Sequence, residues 1–157
     1  MEGVDMAPSP AFAAGLVFAL VPNYDMCAIR ADGAGNVTES HIAWVRDENI
    51  PDVASPVARD GLLFLLGQGL LTCCESRTGK KLWEHEFDSD FQSSPTLVGE
   101  KLYLQGSEGT MYIVAPEREF REIGRAELGE ASSCSPAFVK DCIYIRGEKH
   151  LYCVGKK

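Results

Sequence analysis

The sequence predicts an all-β fold of about 3.5–4 β-propeller blades, each a four-stranded antiparallel sheet, in a partial or half propeller. A ten-residue phrase that opens on Ser-Pro and closes on an aromatic residue occurs four times, starting at Ser9, Ser55, Ser94 and Ser135. A repeat period near 40 residues with strand-like content is typical of an array of small sheets. No window shows a convincing apolar period of 3.6 residues, so we expect almost no helix.

The repeated phrase predicts the first two strands of each unit. Proline is tolerated at the head of a strand because its missing N–H need not join the ladder. A turn residue stands in the middle of each phrase: Gly15, Gly61, Glu100 or Asp141. Two positions after the turn residue, an apolar pair ends on an aromatic residue: Val17-Phe18, Leu63-Phe64, Leu102-Tyr103 and Ile143-Tyr144.

A third strand follows at a steady offset from each Ser-Pro. These strands are predicted at residues 26–29, 71–74, 111–114 and 151–154, and a glycine precedes three of them: Gly67, Gly106 and Gly147. Unit one has Val21-Pro22-Asn23 at that turn instead. Fourth strands are visible around residues 42–45 and 82–87, which completes the four strands expected of a blade.

Unit two carries a more specific motif. Residues 71–83 read Leu-Thr-Cys-Cys-Glu-Ser-Arg-Thr-Gly-Lys-Lys-Leu-Trp. This segment resembles the docking motif of the pyrroloquinoline-quinone (PQQ) repeat family, whose consensus is Leu-Tyr-Ala-Leu-Asp-Ala-x-Thr-Gly-Lys-x-x-Trp. The resemblance covers about Ser9 to Val154. It implies that Thr78-Gly79 forms the turn between strands three and four and that Trp83 packs between blades, where its N–H needs a partner.

The other units depart from this motif. Unit one keeps Asp32-Gly33 and Trp44 with an insertion, and unit three has Ala-Pro-Glu-Arg-Glu at 115–119, with Ile123 where the tryptophan would stand. Unit four reaches Lys157 before the motif. We therefore expect one domain over 1–157, with blades at about 9–54, 55–93, 94–134 and 135–157, the last incomplete.

The number of blades raises the question of how the array closes. Propellers of the family close with seven or eight blades, as the resemblance implies, and uncapped terminal repeats are a problem for any array. We expect either the C-terminal half of a longer protein or two copies that assemble into one ring. A closed four-bladed ring is a third possibility, atypical of the family.

Charge and hydropathy limit the kinds of partner that this chain could bind. The formal net charge is −8, which argues against nucleic acid and against anionic membrane surfaces. The longest apolar run, residues 11–21, is too short to insert in a membrane, and no signal peptide is visible because Glu2 and Asp5 stand where Lys or Arg would be needed. Family members are often periplasmic or extracytoplasmic, so the compartment stays open.

The six cysteines, at 27, 73, 74, 134, 142 and 153, show no Cys-x-x-Cys spacing typical of a metal site. We expect them to be small buried hydrophobic residues, and unpaired thiols fit a reducing compartment slightly better. Some quinoprotein alcohol dehydrogenases of the resembled family carry a vicinal disulfide beside the quinone. Here Cys73 and Cys74 occupy a regular strand, where successive side chains point to opposite faces, so we expect no such role.

Other candidate sites are weak. The loops at 46–52, 88–93 and 130–133 are acidic or hydroxyl-rich. They are read either as a face for a cation, a basic segment or a polar ligand, or as solvated turns, which we favour. The histidines His41, His85 and His150 show no Ser-His-Asp or two-His pattern, and residues 78–80 are not a phosphate loop. No catalytic, cofactor-binding or metal-binding residue is assigned.

Two functions follow from the resemblance. The first is a non-catalytic propeller that serves as a scaffold for a protein partner or a ligand, without cofactor. The alternative is a fragment of a PQQ- and calcium-dependent quinoprotein dehydrogenase, whose family uses an Asp base and a calcium ion over the quinone. No motif here carries those residues, and the fold alone does not establish the chemistry. A sensor propeller fused to another domain is a third possibility.

Overall fold

A computed structural model describes residues 7–155, which form four separate antiparallel sheets and no helix. The first sheet contains β1 (Ala11–Ala13), β2 (Leu16–Val21), β3 (Asp25–Arg30) and β4 (Ile42–Arg46). The second contains β5 (Val57–Arg59), β6 (Leu62–Gly67), β7 (Leu70–Glu75) and β8 (Lys81–Glu86). The third contains β9 (Thr96–Val98), β10 (Lys101–Gln105), β11 (Thr110–Val114) and β12 (Glu122–Glu127). The fourth contains β13 (Ala137–Val139), β14 (Cys142–Arg146) and β15 (Leu151–Gly155).

The predicted fold class is confirmed: each sheet is an antiparallel meander in chain order, as in a propeller blade. In the described part of the chain, no helix is long and apolar enough to cross a membrane. The four sheets share one register in their first three strands. The aromatic residue that closes the repeated phrase faces the same position of the third strand in each sheet: Phe18↔Ala28, Phe64↔Cys73, Tyr103↔Ile113 and Tyr144↔Cys153.

Tight turns within the phrase fix this register. In the second sheet Asp60 and Gly61 both have positive φ, at 50° and 81°. Two consecutive left-handed residues make the two-residue hairpin turn whose twist matches that of the flanking strands. Ala14 and Gly15 repeat this geometry in the first sheet.

The core lies between the sheets. Because successive side chains alternate, β6 sends Leu63 and Leu65 toward the first sheet and Phe64 and Leu66 toward the third. The whole run from Leu62 to Leu66 is buried for this reason. One apolar cluster fills the first interface, between sheets one and two, and a second cluster fills the second interface, between sheets two and three.

The sheets form an open arc rather than a closed ring. Among residues 7–155, apolar clusters and hydrogen bonds join each sheet to the next in chain order, and none of them joins the first sheet to the fourth. Apolar side chains therefore remain exposed at both ends of the arc. Phe12 of the first sheet is 66% exposed, and Leu151 of the fourth sheet is 72% exposed.

Candidate interaction surfaces

The first two interfaces are closed by a tryptophan that docks on the next sheet. Trp44, on β4, donates its indole N–H to the backbone oxygen of Ser76 in the second sheet at 3.0 Å. Trp83, on β8, donates in the same way to Glu117 of the third sheet, also at 3.0 Å. Both indole N–H groups thus have the partner that their partial burial requires.

The turn that receives Trp44 explains the Thr-Gly of the motif. The backbone N–H groups of Thr78 and Gly79 both donate to the Glu75 carbonyl oxygen, and the Thr78 hydroxyl donates to the Glu75 carboxylate at 2.9 Å. Gly79 has a φ of 71°, and a Cβ there would lie 2.8 Å from the Trp44 ring. Glycine is needed because the backbone is left-handed and because the indole covers it closely.

The third interface, between sheets three and four, lacks this closure. Trp44 pairs with Ala28 and Trp83 pairs with Cys73, and the residue at the equivalent place beside Ile113 is Gly124. The assignment of Ile123 to the tryptophan position is therefore wrong. The chain between the paired residues Val114 and Glu122 is one residue longer than the chain between the equivalent pair, Cys74 and Lys81. Ile123 therefore falls at the bulge, and Gly124 takes the docking position.

Loss of the indole leaves an apolar side chain uncovered. Cys74 and Val114 occupy equivalent positions and pack in the clusters that include Trp44 and Trp83, and both are fully buried. Val154 occupies the same position in the fourth sheet and is 51% exposed. Neither a tryptophan from β12 nor a fourth strand beside β15 covers it in the described part of the chain.

Other contacts hold the third interface. The rings of Tyr103 and Phe138 lie 4.6 Å apart across it. Gln105, at the place of the buried Leu66, is itself buried, and its side-chain oxygen has no hydrogen-bond partner among residues 7–155. A buried polar atom without a partner costs about 1–3 kcal/mol, so this oxygen weakens the third interface.

Glu130 links the third interface at its loop end. Its carboxylate accepts hydrogen bonds from the backbone N–H groups of Lys149 and His150, each at 3.1 Å. Burial works to raise the pKa of Glu130, but hydrogen bonds from the Tyr152 hydroxyl and these two N–H groups, together with the charge of His150, lower the pKa below its ordinary value. The ionised carboxylate thereby fixes the hairpin turn of the fourth sheet against the third.

A chain of serines runs through all three interfaces. Each Ser-Pro serine donates its backbone N–H to the hydroxyl of the next: Ser9 to Ser55, Ser55 to Ser94, and Ser94 to Ser135, each at 2.9 Å. The serine of the repeated phrase therefore has a defined task, which is to join each sheet to its successor beside the first strand. Sequence reasoning recognised the repeat of this serine but not the bond that it makes.

Hydrogen bonds within the acidic loops and to neighbouring segments hold these loops. Arg46 donates to the backbone oxygens of Glu48 at 2.8 Å and Gly79 at 3.3 Å, and Asp52 accepts from the Val53 N–H at 2.9 Å. The Ser132 hydroxyl donates to the Arg146 backbone oxygen at 2.8 Å. These bonds support the interpretation of the loops as structural turns, while Asp47 and Asp88 are exposed.

The adjacent cysteines are structural. Cys73 packs in the second-interface cluster and Cys74 in the first, so their thiols point to opposite faces of one sheet. Burial raises the pKa of Cys73 to about 12 and also raises the pKa of Cys74. A thiol that stays protonated is a poor nucleophile, which argues against redox or covalent chemistry at this pair.

The histidines lie in separate parts of the arc. His85 stacks on Phe120 with ring centroids 3.7 Å apart, and His150 lies 3.3 Å from Glu130. His41 contacts the Ser40 hydroxyl at 2.7 Å and Asp32 at 3.5 Å, a Ser-His-Asp contact that sequence reasoning missed.

That contact does not make a hydrolytic site. The backbone N–H groups of Ser40 and His41 both donate to the Val37 carbonyl oxygen, so neither is free to stabilise an oxyanion. The Asp32 carboxylate is largely exposed, where solvent screens its effect on His41. The arrangement instead closes the loop inserted between β3 and β4.

The side chains that could bind a metal ion are dispersed along the described part of the chain. Within residues 7–155, no group of three or more His, Cys, Asp or Glu side chains is arranged to hold a metal ion. Calcium prefers about six to eight oxygen ligands, so the residues of this arc do not fit a calcium–quinone site by themselves.

An open arc of antiparallel sheets, of which the first and second are each docked by a tryptophan on the turn of the next, defines the class as PQQ-type β-propeller blades. A family model described as outer membrane protein assembly factor BamB matches residues 41–146, more than half of the chain, and the chain belongs to this family. No curated protein matches the chain.

Solved structures share the fold. BamB from Moraxella catarrhalis matches with a TM-score of 0.70 and 13% identity over 93% of this chain, which spans 42% of that protein. Quinohemoprotein alcohol dehydrogenase from Comamonas testosteroni matches with a TM-score of 0.66 and 16% identity over 89% of this chain, which spans 28% of that enzyme. The computationally designed protein Ika4 matches with a TM-score of 0.71 and 11% identity over 99% of this chain, which spans 94% of Ika4. These similarities concern the fold alone.

Proposed function

We propose that the chain is a non-catalytic propeller scaffold whose role is to bind protein. The observation that carries this proposal is the pair of apolar sheet faces at the two ends of the arc, where Phe12 and Leu151 are more than half exposed. Soluble proteins seldom leave contiguous apolar surface uncovered, and such surface marks sites of protein–protein contact. The family description, an outer membrane protein assembly factor, supports a role in binding other proteins.

The interior of the arc supports the same proposal. The space between sheets one, two and three is filled by apolar side chains and by the tryptophans that dock between sheets. The two central thiols are held protonated by burial. The partner is either another protein or a second copy of this chain. Nucleic acid and membrane insertion are not part of the proposal, given the net charge of −8.

The alternative is a part of a quinoprotein dehydrogenase, and only this alternative requires PQQ and calcium. It is favoured by the similarity to the two quinohemoprotein alcohol dehydrogenases, from Pseudomonas putida HK5 and Comamonas testosteroni. This chain spans 28% of either enzyme, so cofactor ligands would have to come from elsewhere. The activity of a whole dehydrogenase therefore remains the second candidate.

Titration with PQQ in the presence of calcium distinguishes the two functions. The fluorescence of Trp44 and Trp83 reports on quinone binding, because a bound quinone near either interface would quench the indoles. We expect no saturable quenching and no dye-linked oxidation of alcohols, with a quinohemoprotein dehydrogenase as the positive control. Saturable binding at micromolar quinone, or turnover that depends on quinone and calcium, would replace the scaffold with the dehydrogenase.

A further inference from the structure

The two ends of the arc are complementary to each other. Tyr144 of the fourth sheet occupies the place that Tyr103 has in the third, and Phe12 of the first sheet occupies the place that Phe138 has in the fourth. Tyr103 and Phe138 meet across the third interface at 4.6 Å. The free end faces thus carry the two halves of a contact that already exists inside the molecule.

The same holds for the aliphatic surface around Tyr144. Leu151 stands at the position of Leu71, which is fully buried in the second interface, and Leu151 is 72% exposed. Val139 is also exposed on this face. Side chains of the interface type, placed at interface positions, are left without the neighbouring sheet that covers their equivalents.

The serine chain is also open at both ends. Each inner step joins a backbone N–H to the hydroxyl of the next serine at 2.9 Å. Among the described residues, no group accepts from the Ser135 N–H and no group donates to the Ser9 hydroxyl. One further hydrogen bond of this series would run from the Ser135 N–H to the Ser9 hydroxyl of another molecule.

We propose that a second copy of this chain covers both end faces, with the fourth sheet of each copy stacked on the first sheet of the other. Each junction then places Tyr144 against Phe12 of the second copy and joins the Ser135 N–H to its Ser9 hydroxyl. Two identical junctions related by a two-fold axis close a ring and leave no free face. This inference deepens the proposed function by naming the protein partner.

The lengths of the related chains fit this arrangement. One copy spans 42% of BamB and 45% of the designed protein Ika8, so two copies supply nearly the length of either. A designed chain of nearly the same length as this one, Ika4, has the same fold. A single arc of this size is therefore a workable unit, and two of them approach one full propeller.

Light scattering on a size-exclusion column, applied to the 157-residue chain over a range of micromolar concentrations, tests the inference. We expect a mass of twice 17.1 kDa. A mass of one chain would overturn the inference and assign the end faces to further blades of a longer polypeptide. An open series of larger species would also overturn it, because end-to-end stacking would then fail to close.

Charge variants test the junction itself. Phe12→Glu and Tyr144→Arg each alter both junctions of a ring, so each variant alone should run at the mass of one chain. An equal mixture should return to two chains, because one junction is native and the other pairs Glu at 12 with Arg at 144. Dimers that persist in either single variant, or a mixture that stays at one chain, would overturn the proposed junction.

Matched controls separate association from folding. Ile123→Glu also places a charge on a partly exposed apolar position, but on the outer strand of an inner sheet, and should keep the mass of two chains. Ser9→Ala removes only the hydroxyl proposed for the junction, once in each of the two junctions, and should weaken dimerisation roughly 25-fold without changing the circular dichroism spectrum. Ser55→Ala removes an acceptor used within the chain and should leave the dimerisation constant unchanged.

The measurement of dimerisation is independent of the quinone-binding test of the scaffold role. Quinone binding decides whether the chain is a scaffold or a dehydrogenase part, and it is measured on the wild-type chain whatever its mass. A chain that dimerises and binds quinone would support the proposed junction and contradict the scaffold role. A chain that has the mass of one molecule and does not bind quinone would contradict the junction and support the scaffold role.

Discussion

The second and third interfaces of this arc are built from equivalent strands in the same register, and they differ in how they are closed. In the second, Trp83 covers an apolar cluster and bonds to the next sheet. In the third, Gly124 stands in the position of the tryptophan, Gln105 replaces a leucine, and Val154 is half exposed. The difference shows that the repeated phrase builds a sheet, whereas the docking residue determines how firmly that sheet is joined to the next.

This separation of tasks follows from the physics of repeat arrays. The stability of such an array is approximately the sum of the stabilities of its repeats and of the interfaces between neighbours. A repeat can therefore keep its strands and turns while its interface weakens. Opening should begin in the fourth sheet, because its interface lacks the tryptophan. This gradient of interface stability, from the second interface to the third, can be measured with matched variants.

The largest effect is expected for Trp83→Ala. The change removes the ring that packs on Phe64 and Phe120 and the hydrogen bond to Glu117, and should lower the free energy of unfolding by about 3 kcal/mol. Urea denaturation followed by circular dichroism measures the loss. Ile123→Ala, on the same strand as the empty docking position, should change stability by less than about 0.5 kcal/mol. Equal losses in the two variants would contradict the gradient.

A pair of glycine substitutions compares the docking turn with the vacant docking position. Gly79→Ala should destabilise by about 2 kcal/mol, because φ is 71° and the new Cβ would lie 2.8 Å from Trp44. At Gly124 a Cβ would lie 3.5 Å from Ile113, an ordinary contact, and φ is outside the left-handed region. Gly124→Ala should therefore be neutral or stabilise by about 0.5 kcal/mol. Thermal unfolding of the two variants side by side checks the sign of each.

A pair of valines compares burial at one repeat position. Val114→Ala removes methyl groups from a fully buried site and should cost about 2 kcal/mol. Val154→Ala, at the equivalent exposed site, should cost less than about 0.5 kcal/mol. Chemical denaturation gives both values. A similar cost at Val154 would mean that the third interface is as well packed as the second.

Replacement of the buried glutamine should strengthen the third interface. Gln105→Leu restores the residue type found at the equivalent Leu66 and removes a buried oxygen that has no partner in the described part of the chain. The free energy of unfolding should rise by about 1 kcal/mol. Hydrogen exchange resolves the effect by sheet, and slower exchange should be confined to the fourth sheet and the strands that face it. Unchanged exchange in β14 would indicate that the oxygen is already satisfied by solvent.

The smallest effect is a dependence on pH at the third interface. The pKa of Glu130 is lower in the folded chain than its ordinary value of 4.5. Its stabilising contribution is therefore complete above the unfolded-state pKa and is lost as the pH falls through the folded-state pKa. Glu130→Gln should reduce the fall in melting temperature on acidification in this range. An identical pH profile for the variant and the wild type would show that Glu130 has no part in it.

Much of this molecule could be predicted from the repeated phrase. The phrase places Gly61 at a turn and Phe64 in the strand that follows it, and hairpin pairing over such short distances is determined by local turn geometry. The family resemblance likewise identified Trp83 as the residue that packs between blades. The fourth strand of unit three was not predicted, because β12 contains charged residues, a glycine and no tryptophan, a composition that does not indicate a strand.

The sequence by itself thus determined the sheets, their order and the principal docking residue, because all of these depend on neighbours within about 40 residues along the chain. The tertiary structure alone decided that Gly124, not Ile123, faces the fourth sheet, since a one-residue extension of a loop shifts which residue occupies the interface. It also decided the serine bonds between sheets, because they join residues a full repeat apart. Contacts between repeats depend on how rigid sheets stack, and no local pattern encodes that stacking.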